Sequence, residues 1–332
     1  MTKRSRVILV LVICSLLWLA GCTGKTVNEK AVEEKVTEPK QKPVQTPQEE
    51  PQKEEAPKPI AVNVIDPTTK FIIKTFLPVD MGFGTDNGAY KKELEKWAQD
   101  LARGTESTAG YDQRMVLDKM DANGQIIKGK PRIILEETEL VEKVITASAA
   151  GGDVELPIYV TESGYKPEDV KHLGEVVVAT FTTRFNSGVV GRSKNIELSA
   201  EAINNVIVGA GDIFSFNTTV GPSDAKHGYQ KAKEIVNKQL VDGIGGGICQ
   251  TSSTLFNTVD QLGVSYFEKH HHSLSVGYVP AGRDATVSYG GPDFRFQNTT
   301  GAPFIIKSIY KKGSLTIEVR TSAAYQGLMA KH

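Results

Sequence analysis

Three consecutive glycines, Gly245-Gly246-Gly247, run straight into Ile248-Cys249-Gln250-Thr251-Ser252-Ser253-Thr254-Leu255. A glycine run is costly inside a regular element, so it marks a tight turn. The residues after it have helical spacing. Ile248, Leu255, Val259 and Leu262 fall on one face, and Gly263 suits the C-terminal stop. Cys249 therefore sits in the first turn of a predicted helix, flanked by Ser252, Ser253 and Phe256. The positive end of the helix dipole and the free first-turn amides favour thiolate over thiol there. The glycines also let the backbone approach a ligand and offer amides to an oxyanion. The plain alternative is a Gly-rich turn with a small buried cysteine as packing.

Cysteine usage weighs between these readings. The chain has 3 Cys, at positions 14, 22 and 249. Lys3, Arg4 and Arg6 precede a nearly unbroken apolar run, Val7 to Leu19, which is short for a bilayer span. Leu19-Ala20-Gly21-Cys22 then has the form of a bacterial lipobox. Residues 1–22 read as a lipoprotein signal peptide, with Cys22 the lipidated residue of the mature chain. Cys14 would be cleaved off, so the exported domain holds one thiol, Cys249, with no disulfide partner. A lone thiol in an oxidising compartment is a liability unless it is buried or reactive.

Residues 23–60 are rich in Lys, Glu, Gln and Pro and contain no aromatic residue, which marks a disordered linker. Extended, it spans about 120 Å, enough to carry a domain well above a membrane. Lys+Arg and Asp+Glu balance at 39 each, which argues against a nucleic-acid partner.

Residues 61–174 read as a small α+β module of unassigned role. Ile72, Ile73 and Phe76 suggest a strand, and Lys91 to Ala102 a helix with Leu94, Trp97, Ala98 and Leu101 on one face. Met115 to Met120 and Arg132 to Leu135 read as short strands around an Asn123-Gly124 hairpin signal. A calcium loop at Asp121 is rejected, because its sixth position holds Ile126 instead of glycine. Glu139 to Ala150 reads as a helix stopped by Gly151-Gly152, and Val154 to Val160 as a strand.

Residues 175–332 carry the chemistry. Val176 to Thr183 reads as a strand and Ile196 to Val208 as a helix. After the glycine-headed helix, Ser273 to Val279 and Asp284 to Tyr289 alternate around a Pro280-Ala281-Gly282 turn. Phe294 to Phe296, Phe304 to Ile309 and Leu315 to Val319 complete a strand-rich end. The expected class is α+β: a mostly antiparallel sheet with the Cys-bearing helix packed on it, preceded by the smaller α+β module.

Three of the 6 His are consecutive, His270-His271-His272. If the following strand starts early, His270 and His272 share the face of Leu274, Val276 and Tyr278, and His271 faces outward. A thiol nucleophile needs such an inward His as base or ion-pair partner, and His272 is nearest the strand. Arg283 on an apolar face wants a carboxylate, internal or on a ligand. Asp284 either orients His272 or pairs with Arg283. A zinc site of Cys249, His270 and His272 is a further alternative.

The segments NIELSAEAIN, GDIFSFN, HGY, GIGGGICQTSSTLFN, HHHS, YVPAGRDATV and DFRFQN, in that order, resemble the VanW-like domain over about residues 180–310. This chain has Lys269 and a His triplet where the family often has Arg before His-Ser. The resemblance implies an L,D-transpeptidase that crosslinks peptidoglycan stem peptides without a cofactor. Cys249 would be the nucleophile, His272 its partner, and Asp284 a third catalytic residue. Gly246, Gly247, Gln250, Ser252 and Arg283 are the expected substrate contacts. The alternatives are a thiol hydrolase on the same peptides and a non-catalytic wall-binding lipoprotein. In each case the expected location is the outer face of the bacterial cytoplasmic membrane, through the lipid on Cys22.

Overall fold

The computed structural model describes residues 58–236 and 238–329 of the chain. The leader, Cys22 and all but the last positions of the linker lie outside the described residues.

The first part of the chain forms β1 (Val62–Ile65), β2 (Ile72–Phe76), α1 (Asn87–Arg103), β3 (Lys119–Met120), β4 (Ile126–Ile127), β5 (Arg132–Leu135), α2 (Glu137–Ala147), β6 (Gly152–Glu155) and β7 (Ile158–Thr161). β1 is flanked by β2, antiparallel, and β6, parallel. α1 begins where the Asp86 carboxylate accepts the Ala89 amide at 2.9 Å, a side-chain N-cap. Tyr90, Leu94, Ala98 and Ala102, each four apart, bury against Leu140, Val141 and Val144 of α2 and Val62 and Val64 of β1.

Two expectations change here. Asn123-Gly124 turns a hairpin between β3 and β4 only, while Arg132–Leu135 pairs with β7. The expected Val154–Val160 strand is two strands. Pro157 has no amide for a ladder, so the chain leaves β1 after β6 and joins β5 as β7.

The second part forms β8 (Val176–Arg184), α3 (Val190–Ile203), β9 (Ile207–Val208), β10 (Ile213–Ser215), α4 (Phe216–Val220), β11 (Lys231–Val236), β12 (Gln239–Ile244), α5 (Ile248–Val259), β13 (Ser265–Glu268), β14 (Arg295–Gln297), β15 (Phe304–Lys311) and β16 (Ser314–Thr321). The main sheet has the order β8-β16-β15-β9, all antiparallel. Leu315, Ile317 and Val319 alternate inward along β16, beneath α5 and α3. A second antiparallel sheet, β10-β14-β13, brings Phe214, Phe294 and Phe296 into the same core as Leu255, Phe256 and Val259 of α5. β11 and β12 form a separate hairpin. The 115–120 segment joins this body too: Met115 and Leu117 are in its core, and the Ile207 amide donates to Asp118 O at 2.9 Å.

The architecture is α+β, mostly antiparallel, with the Cys-bearing helix on the sheet. The helix expected over 196–208 runs instead from Val190 to Ile203. Asn205 ends it, in the left-handed region at φ 63°, a conformation asparagine tolerates and the following valine and isoleucine resist. Gly263 takes φ 66° just after the helix, the left-handed stop its position suggested.

The largest departure concerns Ser273–Val279 and Asp284–Tyr289, which form no strands beyond a single bridge between His270 and Thr286. Side chains of α5 take the backbone groups that a ladder would have used. Ser253 Oγ accepts the Ala285 amide at 2.9 Å, Ser252 Oγ donates to Ala285 O at 2.5 Å, and Asn257 Nδ2 donates to Arg283 O at 2.8 Å. The alternation is genuine, but it packs against a helix.

Candidate functional site

The glycine run bends sharply because neighbouring backbone leaves no room for side chains. A Cβ on Gly246 would lie 2.5 Å from Lys233 O, and Gly247, at φ 116°, has Arg192 O 3.0 Å from where its Cβ would be. This turn starts α5, so Cys249 is in the first helical turn at the floor of a cleft of about 600 Å³. The walls include Arg192, Tyr278, Thr286 and Val287 with the glycine turn, and the β11–β12 hairpin forms one side.

Cys249 Sγ lies 3.4 Å from Val287 O and 3.7 Å from Thr286 Oγ1, and the His272 imidazole lines the same cleft beside it. His272 is almost completely buried, with 6% of its side chain exposed. Its Nδ1 donates to Asp284 Oδ2 at 2.7 Å, and its backbone amide donates to the same oxygen at 2.7 Å. That leaves Nε2 as the nitrogen for the thiol. The other oxygen, Oδ1, accepts His271 Nδ1 at 2.8 Å, and Lys269 Nζ donates to His271 Nε2 at 2.8 Å. His272 and Asp284 thus form a hydrogen-bonded imidazole–carboxylate pair beside the Cys249 thiol.

Burial works against every charge in this group, and the partners prevail. Burial pushes the Cys249 thiol up, but the His272 side chain and its charge, with contacts to Val287 and Thr286, bring it below its ordinary value. Burial lowers His272, yet Cys249 and then Asp284 raise it above the ordinary imidazole range. Burial raises Asp284, but the His272 amide and the two imidazoles hold it down at about 2. The directions for Cys249 and His272 both favour a thiolate–imidazolium pair over the neutral pair.

The structure brings together Cys249, His272 and Asp284, with Gly246 and Gly247 in the cleft wall. Three expected substrate contacts are engaged elsewhere. Ser252 is fully buried with its hydroxyl on Ala285 O and Cys249 O, so it fastens the loop to the helix. Gln250 is fully buried, donating to Thr183 Oγ1 at 3.0 Å and Arg184 O at 3.1 Å; it touches the cleft through Arg192, whose guanidinium donates to its Oε1 at 2.8 Å. Arg283 takes the internal option: its guanidinium binds Asp260 Oδ2 at 2.7 Å and Asn257 Oδ1 at 2.8 Å and lies over Phe256. Asp284 is accordingly free of Arg283 and orients His272.

His270 turns away to Glu268 at 3.0 Å, so the Cys249–His270–His272 zinc set is not assembled. Among the described residues no group of three His, Cys, Asp or Glu is placed to hold a metal. Arg192 was missed from the sequence. Starting the helix at Ile196 left it in a loop, whereas it belongs to the first turn of α3.

An α+β domain whose helix-borne thiol faces a carboxylate-held imidazole at a cleft floor defines the class. Comparisons with known proteins make this specific. The model of the family described as VanW like protein matches residues 191–320. The chain is 38% identical over 226 residues to YoaR of Bacillus subtilis (strain 168), covering 66% of this chain and 75% of that one. It is 28% identical over 117 residues to the vancomycin B-type resistance protein VanW of Enterococcus faecalis, covering 34% of this chain and 42% of that protein. No solved structure matches the chain. The chain belongs to the VanW-like family.

Two measurements probe the electrostatics. Cys249 alkylation, followed against pH, is expected to titrate below the free thiol's roughly 8.5, with His272→Ala moving the midpoint back up. A wild-type midpoint at or above the free value rules out the activated thiolate. Asp284 is a depressed carboxylate, so its stabilisation is full above its unfolded pKa and is lost as pH falls towards about 2. Urea denaturation is expected to lose about 2 kcal/mol through this group between about pH 5 and pH 2, a component absent from Asp284→Asn.

Proposed function

We propose that the protein is a cysteine-dependent L,D-transpeptidase acting on peptidoglycan stem peptides, tethered to the outer face of the bacterial cytoplasmic membrane by a lipid on Cys22. The observation that carries this reading is the placement of the Cys249 thiol in a cleft beside the Asp284-held His272 imidazole. The name of the Enterococcus faecalis relative, a vancomycin-resistance protein, supports a cell-wall setting.

In the first half-reaction the Cys249 thiolate attacks the carbonyl that precedes the terminal D-amino acid. The S–C bond forms, the C–N bond breaks, and the His272 imidazolium gives its proton to the leaving amine. Two amides near the thiol are already engaged: Ile248 with Gly245 O at 3.1 Å and Gln250 with Gly247 O at 2.9 Å. The oxyanion donors are drawn from the remaining amides of the glycine turn and that of Cys249. In the second half-reaction the side-chain amine of another stem attacks the thioester. His272 takes its proton, and Cys249 departs as thiolate. Asp284 keeps the imidazole oriented through both halves.

Purified protein incubated with stem tetrapeptides is expected to give crosslinked dimer by mass spectrometry. Cys249→Ala makes none. His272→Ala is slower by about 10² to 10⁴, the usual worth of general acid–base help. His271→Ala, which loses bonds to the far Asp284 oxygen and to Lys269 but leaves His272 in place, is slower by less than about tenfold. If His271→Ala is dead and His272→Ala active, the base is misassigned. Release of the terminal D-amino acid without dimer replaces the transpeptidase with a hydrolase. For the anchor, Cys22→Ala is expected to leave membranes or to accumulate unprocessed; a variant still processed and membrane-bound sinks the lipid reading.

A further inference from the structure

Besides His272, two cationic side chains line the cleft, and they are treated differently. Lys233 has an internal partner, Asp242 at 3.0 Å. Arg192 makes no ion pair with any carboxylate among the described residues, and its one hydrogen bond there goes to a neutral acceptor, Gln250 Oε1. A guanidinium stays charged at any physiological pH and presents a flat fork of donors, so a partly buried one usually has an acid opposite it. The cleft's own carboxylate, Glu234, forms no ion pair with it, and burial raises the pKa of Glu234.

The surroundings hold Arg192 in place without neutralising it. Gln250, itself fully buried and bonded to β8, fixes one guanidinium nitrogen. The Tyr278 ring lies under the guanidinium at 5.7 Å, a cation–π distance. The Arg192 backbone and Cγ abut Gly247, two residues before the thiol. A positioned guanidinium beside a nucleophile, with no carboxylate partner among the described residues, matches a ligand carboxylate, which it can bind through two parallel hydrogen bonds.

We propose that Arg192 is the carboxylate-recognition group of this cleft, binding a free carboxylate on the residue adjoining the carbonyl that Cys249 attacks. On the transpeptidase reading, on which the substrate assignment rests, that is the terminal carboxylate of the departing D-amino acid. The preferred acyl donors are peptides with a free C-terminus. Arg192 takes the role that the sequence offered to Arg283, whose guanidinium is spent on Asp260 and Asn257.

The test has two arms. The first compares alkylation of Cys249 by iodoacetate, an anion, and iodoacetamide, its neutral analogue, in wild type, Arg192→Met and Arg192→Lys. The rate ratio cancels changes in the thiol's own reactivity. It is expected to fall about tenfold or more in Arg192→Met and less in Arg192→Lys, which keeps the charge but not the fork. An unchanged ratio in a folded Arg192→Met protein, checked by circular dichroism, overturns the proposal. The second arm compares a stem tetrapeptide with its C-terminal amide as acyl donor. Wild type is expected to prefer the free acid by about 10- to 100-fold in kcat/KM, the range for one charge-assisted contact. Arg192→Met is expected to lose that preference. If wild type uses both peptides equally, Arg192 does not read the carboxylate, even though the transpeptidase reading stands. If wild type uses neither while the alkylation ratio still depends on Arg192, the transpeptidase reading falls and the anion site remains. The wild-type arms stay decisive if a variant fails to fold.

Discussion

Helix α5 is buried on every side, although half of it is polar. Gln250, Thr251, Ser252, Ser253, Thr254, Asn257 and Thr258 are all out of solvent, and each has a partner. Buried polar groups left unpaired cost about 1–3 kcal/mol each, so this helix is stable only in its own surroundings. Thr254 meets Thr183 of β8, Thr251 meets Ser199 of α3, and Ser252, Ser253 and Asn257 meet the 283–285 backbone. One face therefore seats the helix on the sheet, and another fastens an otherwise irregular loop. That loop carries Asp284, so the polar face of α5 fixes the distance between thiol and carboxylate.

The electrostatics of the site follow from this fastening. Asp284 is pinned by its neighbours on the chain and accepts two imidazoles and an amide at once. Its charge holds His272 in one orientation, and His272 in turn offsets the burial that would otherwise keep Cys249 protonated. Lys269 and His271 extend the network outward from the buried pair. The cleft beside it is walled partly by a hairpin and partly by α3, which contributes Arg192. The thiol and the guanidinium of the cleft thus come from different helices joined by Gln250.

His272 was singled out by assuming a strand from residue 270 onward, and that strand does not exist. His272 still faces the thiol because Asp284 captures both its ring and its amide. Val276 and Tyr278, expected on a core face, line the cleft instead, and Leu274 from the same supposed face is exposed. Ser252 and Gln250 are expected to touch substrate. Ser252, one turn on from Cys249, lies on the same side, but Ala285 O takes its hydroxyl, and Gln250 turns towards β8.

By itself the sequence determined the α+β class, the glycine-headed helix with its left-handed stop at Gly263, and the isolation of Cys249 as the one thiol near helical dipole and glycine amides. These follow from local rules: backbone freedom, helical period and residue spacing. Only the tertiary structure decided which histidine meets the thiol, that Asp284 serves His272 while Arg283 serves Asp260, and that Arg192 enters the cleft. Those pairings join residues far apart in the chain, and each is set by which buried polar groups can satisfy one another in three dimensions. Local pattern along the chain carries no record of that competition.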